Sequence, residues 1–419
     1  MSTASWRVPE RTGVPSTSRH ALTGIGISSA VAAVLTWSLH VVAGRELGVS
    51  GYARFMVVWG IFFTLTGILQ GLQQEVTRSV SSALAGGTQG RRPIVGTLLI
   101  GASGFVVLVA SSPLWAAPLL DHNWFGASVA LGLGFAAYSI ANLLSGGLAG
   151  MHSWRLYSLA ILFEGVLRAV FVIGVLVVGT NEIGWALALL GASGVWVFLA
   201  ADIGTRRAAL AHGDQRSRVF VWMSAQAMVA AGCSALVVSG FPVLLAIFAR
   251  SGSRNAAGVV LAALMVTRTP VLLFLNSYQG VLIAQLVTSR SPNRLLRRWL
   301  GLGLILAVPA ALVSYFIGPP ILRLVFGPAF DASGQLFAGL VVSTGTLALL
   351  TLTGWTVLAR GQHAIFAAGW FVAAAVTSAT LSLSLDLADR APLALVVGPL
   401  AGAALHLRAL AVRHEITDG

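Results

Sequence analysis

Glu164, Arg168 and Arg268 stand inside long apolar stretches, so they carry most of the chemical interest in this sequence. A charge at the centre of a bilayer costs at least about 2.5–3.5 kcal/mol on insertion scales, so each needs a partner or a wet cavity. Glu164 and Arg168 are four residues apart, which puts them on one helix face about 6 Å apart along the axis. They can neutralise each other and so let a helix insert. Alternatively, Arg168 faces a central cavity and Glu164 holds it there. Arg268 has no acidic neighbour along its own stretch and is followed by Thr269-Pro270, where the ring removes a backbone hydrogen bond. It can pair with Glu164 across helices, but two arginines against one carboxylate still leave the interior positive. The planar fork of an arginine side chain suits an anionic group. By helix rise, Arg268 lies about 18 Å from one end of its span and Arg168 about 17 Å from an end of its own. We therefore expect Arg268 to face a water-filled cavity, with Arg168 on the facing lobe.

A second group of polar residues, Gln70, Gln73, Gln74, Glu75 and Arg78, follows the apolar run 55–72. It reads either as a helix end meeting headgroups or as a polar cavity lining that Gln279 and Gln285 would share. Asn142 and Gln226 read as interhelical hydrogen-bond residues. Gly67-x-x-x-Gly71 and Gly146-x-x-x-Gly150 permit close helix approach. His406 and Arg408 read as anchors of the last span.

Positioning these residues is a matter of membrane helices. Of 419 residues, 57% are apolar and 9% charged. Soluble domains carry about 25% charged residues, so this chain could not cover a water-facing surface. Mean hydropathy is +0.86. A soluble enzyme, a coiled coil and a disordered chain are excluded. About 240 apolar residues at about 20 per span give roughly twelve transmembrane helices. The expected spans are 21–43, 55–72, 94–119, 125–150, 157–179, 183–201, 220–248, 256–286, 299–317, 336–358, 364–383 and 392–410. The runs are continuous and do not alternate, which argues against strands.

The net charge is +13, and every basic residue is arginine. If the N-terminus is cytoplasmic, eighteen of the 26 arginines fall in cytoplasmic segments, six in outer ones, and Arg168 and Arg268 within spans. That bias is the mark of a multi-pass membrane protein with both termini inside, and not of nucleic-acid binding. The expected organisation is a flexible cytoplasmic tail (1–20), a six-helix lobe (21–201), a cytoplasmic linker (202–219), a second six-helix lobe (220–412) and a short cytoplasmic tail (413–419). An offset of 206 residues carries Gln73 onto Gln279, a weak internal repeat consistent with parallel pseudo-symmetry.

The motif search points away from catalysis. The sequence contains no G-x-x-x-x-G-K-[ST], no H-E-x-x-H and no G-x-S-x-G. The single cysteine, Cys233, can form neither an intrachain disulfide nor a metal site. Connecting segments are too short for a catalytic domain. We expect no enzyme activity and no cofactor.

Several stretches resemble the polysaccharide-export flippases of the multidrug/oligosaccharidyl-lipid/polysaccharide (MOP) superfamily, Wzx-type O-antigen transporters in particular. Leu47-Gly48-Val49-Ser50-Gly51-Tyr52-Ala53-Arg54-Phe55 is similar to their L-G-x-x-x-Y-G-x-F entry to the second span, with Ala53 where Gly is usual. Leu148 to Tyr157 resembles their link between spans four and five, and Glu164-x-x-x-Arg168 resembles a recurrent pair. Thr267-Arg268-Thr269-Pro270 with Gln279 resembles their eighth span, although Ile283-Ala284 replaces an expected Pro. Phe326-Gly327-Pro328-Ala329-Phe330 is similar to their F-G-x-x-[FY] before span ten.

The resemblance covers roughly residues 21–412. It implies two six-helix lobes in a V around a central cavity, with a polyprenyl-diphosphate-linked glycan flipped between leaflets. Arg268, Arg168, Glu164, Arg54, Gln73 and Gln279 are then the candidate substrate-binding residues. The expected partners are the glycan lipid, membrane lipids and glycan polymerases or glycosyltransferases; the chain is expected to be a monomer. Two alternatives stand beside this one. A drug/cation antiporter of the related multidrug-extrusion (MATE) branch would need a buried exchangeable carboxylate, and spans one and seven hold none. A catalytically silent scaffold for glycan assembly is the other.

Overall fold

The computed structural model describes residues 19–87, 89–120, 123–179, 181–199, 201–248, 254–288, 292–360 and 362–417. Among them the regular structure is entirely helical. Twelve spans are α1 (19–47), α2 (49–86), α3 (Pro93–Ala110), α4 (Trp124–Gly150), α5 (Trp154–Val178), α6 (Glu182–Gly191, continued by a 3₁₀ turn and Val195–Leu199), α7 (Ser217–Val238), α8 (Arg254–Thr288), α9 (Pro292–Phe326), α10 (Gly334–Ala359), α11 (His363–Leu381) and α12 (Leu387–Thr417). Ten helical stretches are long and apolar enough to cross a membrane; one of them holds both α1 and α2, and α6 is a shorter apolar helix. The chain is thus a multi-pass all-α membrane protein.

Several expected boundaries are corrected. No loop separates the first two spans: the chain stays helical except at Gly48 (φ 65°, ψ −176°), a conformation in practice reserved for glycine. The expected third span, 94–119, ends at Ala110, and a separate short helix, Ser112–Leu119, follows. The expected seventh span, 220–248, is broken. It ends at Val238, and a short helix, Phe241–Phe248, resumes after Gly240. Pro242 in that first turn cannot donate to the preceding turn, which accounts for the break. Residues 202–219 hold the short helix Ile203–Ala209 and the first turn of α7. Asp202 caps the short helix, accepting from the Thr205 backbone N–H at 2.9 Å. The expected internal repeat is therefore imperfect, since α1 runs unbroken where α7 splits.

Small residues set the packing. Gly67 and Gly71 lie against Ala235 and Ala227 of α7, so α2 and α7 approach closely. Gly146 and Gly150 of α4 lie against Val76 and Val80 of α2. Both G-x-x-x-G pairs are packing contacts, as such motifs usually are in membranes. Spans α1 to α6 pack among themselves, as do α8 to α12; α7 packs on α2, α3 and α11, and α8 and α9 also meet the α1–α2 helix. The largest buried cluster draws on most of the spans, and α2 gives it Tyr52, Phe55, Phe62, Leu69 and Leu72, all nearly inaccessible.

Candidate functional site

Arg168 forms an ion pair with Glu164 one turn away, so the local pair expected from spacing exists. A third member comes from α4. The Tyr138 hydroxyl donates to Glu164 Oε1 at 3.0 Å, and Arg168 Nη2 lies 3.4 Å from the same hydroxyl. The guanidinium also sits over the Phe63 ring of α2, 5.1 Å from its centroid. An arginine so placed gains from the carboxylate and from the ring face. Its Nε is buried without a partner among the described residues.

Arg268 departs from expectation. It is 6% exposed, not on a wet cavity wall. Its guanidinium donates through Nη1 to the Val238 carbonyl and through Nη2 to the Val237 carbonyl, both at 3.3 Å. These carbonyls belong to the last turn of α7, just before the break at Gly240. A helix end leaves its last carbonyls without intrahelical donors, and such groups deep in a membrane need satisfying. Arg268 supplies them, and the negative end of the helix dipole suits its charge. Nor does it pair with Glu164, which is held by Arg168 and Tyr138.

The other candidates are scattered. Arg54 lies 3.7 Å from Glu182, a buried carboxylate in the first turn of α6. Gln73 donates to the Tyr157 hydroxyl at 3.3 Å, joining α2 to α5. Gln279 falls on α8, but its side chain lies outside the described residues. These residues do not gather into one cluster. Asn142 donates to the Tyr138 carbonyl of its own helix at 2.7 Å, and among the described residues no bond to a neighbouring helix is seen. Gln226 is exposed, as are Gln70, Gln74 and Gln285. His406 is no surface anchor but is fully buried, with Nδ1 3.2 Å from the Thr353 hydroxyl and Nε2 3.3 Å from the Phe366 carbonyl.

The polar group after Leu72 does not mark a helix end, because α2 continues to Gly86. Glu75 and Arg78 form a salt bridge at 2.7 Å, and Arg78 reaches Asp214 of the linker at 2.9 Å. Gln215 donates to Glu75 at 2.8 Å, and Ser79 donates to Asp214 at 2.8 Å. Backbone bonds between residues 90–91 and 213–215 complete a latch between α2, the following loop and the linker.

The opposite end, around Gly48, is closed. Arg45 at the end of α1 donates to the Leu324 and Val325 carbonyls of α9 at 2.7 and 2.8 Å. The Phe326 ring fills the hollow over Gly44 and meets Tyr52 edge-on, ring centres 5.5 Å apart. Phe330 packs on Tyr52 at 5.9 Å and on Phe326 at 5.4 Å, so the three rings form one cluster. The backbone of Val49 lies against Gly258 at the start of α8. Beside this seal a cavity of about 470 Å³ is lined by Val49, Asn255, Val260, Asp331, Ser333 and Leu336, among others. A scan for formal charge in the spans misses this gate, because its members are aromatic. It also misses His40, since a neutral imidazole carries no charge. A breaker signal was present for Arg268's partners: Gly240 and Pro242 inside an apolar run predict freed carbonyls.

No protein-family model matches the chain. It is 34% identical over 399 residues to the uncharacterized protein Rv3630 of Mycobacterium tuberculosis, spanning 93% of this chain and 92% of that one. It is 32% identical over 407 residues to the uncharacterized protein Rv1510 of the same organism, spanning 95% and 93%. Among solved structures it is similar to an inward-facing MATE-family multidrug resistance transporter of the MOP superfamily, with a TM-score of 0.70 at 13% identity over 95% of this chain and 98% of that one. A MOP-superfamily transporter from Pyrococcus furiosus, described as having a binding pocket of reverse polarity that suggests a different function, gives 0.69 at 15% identity over 95% and 96%. An outward-facing MATE-family structure gives 0.66 at 14% identity over 95% and 96%. The helices are thus arranged in the fold of those transporters, and the chain belongs to the family of the mycobacterial proteins Rv3630 and Rv1510, built on the MOP-superfamily fold.

Proposed function

We propose that the chain is a secondary transporter that flips a polyprenyl-diphosphate-linked oligosaccharide across the cytoplasmic membrane by alternating access, for cell-surface polysaccharide synthesis. The observation that carries this reading is the charge inventory within the spans. Glu164 is neutralised by Arg168 and hydrogen-bonded by Tyr138, whereas Arg268 is held, among the described residues, by neutral carbonyls that do not compensate its charge. An anionic phosphate binds a guanidinium more strongly than a carbonyl does, through paired charge-assisted hydrogen bonds. Opening of the helix contact would exchange the Val237 and Val238 carbonyls for cargo. Arg168 is the second contact group and Glu164 tunes it. Gln73 and Gln279 are the proposed sugar contacts, and Arg54 stands on the route toward the Gly48 end.

A cationic drug would need an exchangeable carboxylate. Glu164, the acid expected within the spans, is already paired, which disfavours the antiporter reading. With both termini cytoplasmic, as the arginine bias suggests, the sealed Gly48 end is the outer one and this conformation is inward-facing. The test is proteoliposome flipping of a fluorescent polyprenyl-diphosphate oligosaccharide beside uptake of a cationic dye. Flipping that Arg268→Glu abolishes, at normal abundance, supports the proposal. Cation uptake without flipping replaces it with the antiporter. Neither activity leaves the scaffold reading.

A further inference from the structure

His40 lies on α1 two turns before Gly48, fully buried. Its ring is boxed by aromatics of α2: Trp59 at 4.5 Å, Phe55 at 6.0 Å and Tyr52 at 6.2 Å between centres, all edge-on. Nδ1 is 3.4 Å from the Tyr52 hydroxyl. Nε2 is buried with no hydrogen-bond partner among the described residues. Tyr52 is also the residue that touches Phe326 and Phe330 of the other half. The imidazole therefore stands directly behind the gate, on the same tyrosine that forms it.

We propose that His40 is a proton-binding residue that couples protonation to opening of the Gly48 end. A neutral imidazole tolerates this box at the cost of one unmade hydrogen bond. An imidazolium has two N–H donors to satisfy and a charge to solvate, which the aromatic walls cannot do. The closed gate thus selects the neutral ring. Any opening that moves Tyr52 away from Phe326 and Phe330 brings water toward His40 and lets it take a proton in the physiological range. A proton that binds the open form better must, by linkage, favour that form.

Among the described residues the surrounding groups do not offer a competing charge partner, and Glu46 at the end of α1 is exposed. On α1, Arg45 is turned to the α9 carbonyls. On α2 the titratable contact is the neutral Tyr52 phenol, while Arg54 faces Glu182 of α6. From α9 and the residues after it come the apolar Phe326 and Phe330, with Arg323 and Asp331 paired at the surface. The inference rests on the transport reading only in needing an end that opens.

The experiment places spin labels at Ser50 and Ala329, both exposed on opposite sides of the seal, in a Cys233→Ala background in nanodiscs. Pulsed dipolar distances are read without cargo at about pH 8 and about pH 5, bracketing an imidazole. We expect the open population to rise several-fold at the acid pH, and His40→Gln to lose that response. If His40→Gln does not fold, His40→Leu, which suits an apolar box, serves for the same comparison. An invariant distance in the otherwise native protein, or a response that persists without His40, overturns the proposal. Cargo flipping measured separately reports on the transport reading, so the two fail independently.

Discussion

Arg268 on α8 donates to the carbonyl of Val238, the last residue of α7, thirty positions earlier in the chain. An intramembrane arginine is thereby tied to an intramembrane helix break. The arrangement satisfies backbone groups that the break frees, while leaving the positive charge uncompensated by any carboxylate among the described contacts.

Removing that donor has a calculable cost. Arg268→Ala orphans two buried carbonyls and should destabilise the fold by about 1–3 kcal/mol per unsatisfied group. Arg268→Lys can reach only part of the carbonyl pair, so its loss should be smaller. Thermal unfolding in detergent ranks the two. Normal flipping by a folded Arg268→Ala protein would remove the main support for an anionic cargo site.

The Glu164–Arg168 pair can be separated from function by a double-mutant cycle. Removing either partner alone strands a buried charge and should cost about 3–5 kcal/mol. Glu164→Ala with Arg168→Ala together should recover much of that stability. Recovered abundance with recovered export marks the pair as structural. Recovered abundance without export gives Arg168 a role in cargo binding. Tyr138→Phe removes the hydroxyl's hydrogen bonds to Glu164 and Arg168 and should cost about 1–2 kcal/mol.

Gly48 holds a backbone conformation that side chains disfavour, although open space surrounds it. Gly48→Ala should therefore act through the backbone alone, with strain of about 1–3 kcal/mol. The strain is relieved if α1 and α2 straighten into one rod, which would pull Tyr52 from Phe326. Labels across the seal at Ser50 and Ala329 should then report an opened end.

The latch at Asp214 is partly exposed, so its ion pair contributes at most about 1 kcal/mol to global stability. Its effect should be local. The linker region offers trypsin Arg206, Arg207, Arg216 and Arg218, whose cleavage is told apart from that at other arginines by fragment mass. Asp214→Asn should speed tryptic cleavage there severalfold while leaving the unfolding temperature nearly unchanged. Unchanged cleavage would show that the backbone bonds to residues 90–91 hold the linker by themselves.

Hydropathy determined that the chain is helical, multi-pass and close to twelve spans, because insertion into a bilayer depends on local apolar content. The Glu164–Arg168 pair was equally legible, since four residues on one helix fix proximity without any tertiary information. The G-x-x-x-G contacts of α2 and α4 followed from side-chain size. Tertiary structure alone decided what Arg268 does. Its acceptors are backbone carbonyls, which every residue type carries, so no residue pattern marks them. The gate likewise joins Gly44 and Tyr52 to Phe326 and Phe330, nearly three hundred residues apart. Aromatic residues in an apolar span look the same whether they face lipid, core or the opposite lobe, and only packing distinguishes these environments. His40 shows this most clearly. The sequence places an imidazole in the first span, but its isolation behind the seal exists only once α1, α2 and α9 have come together.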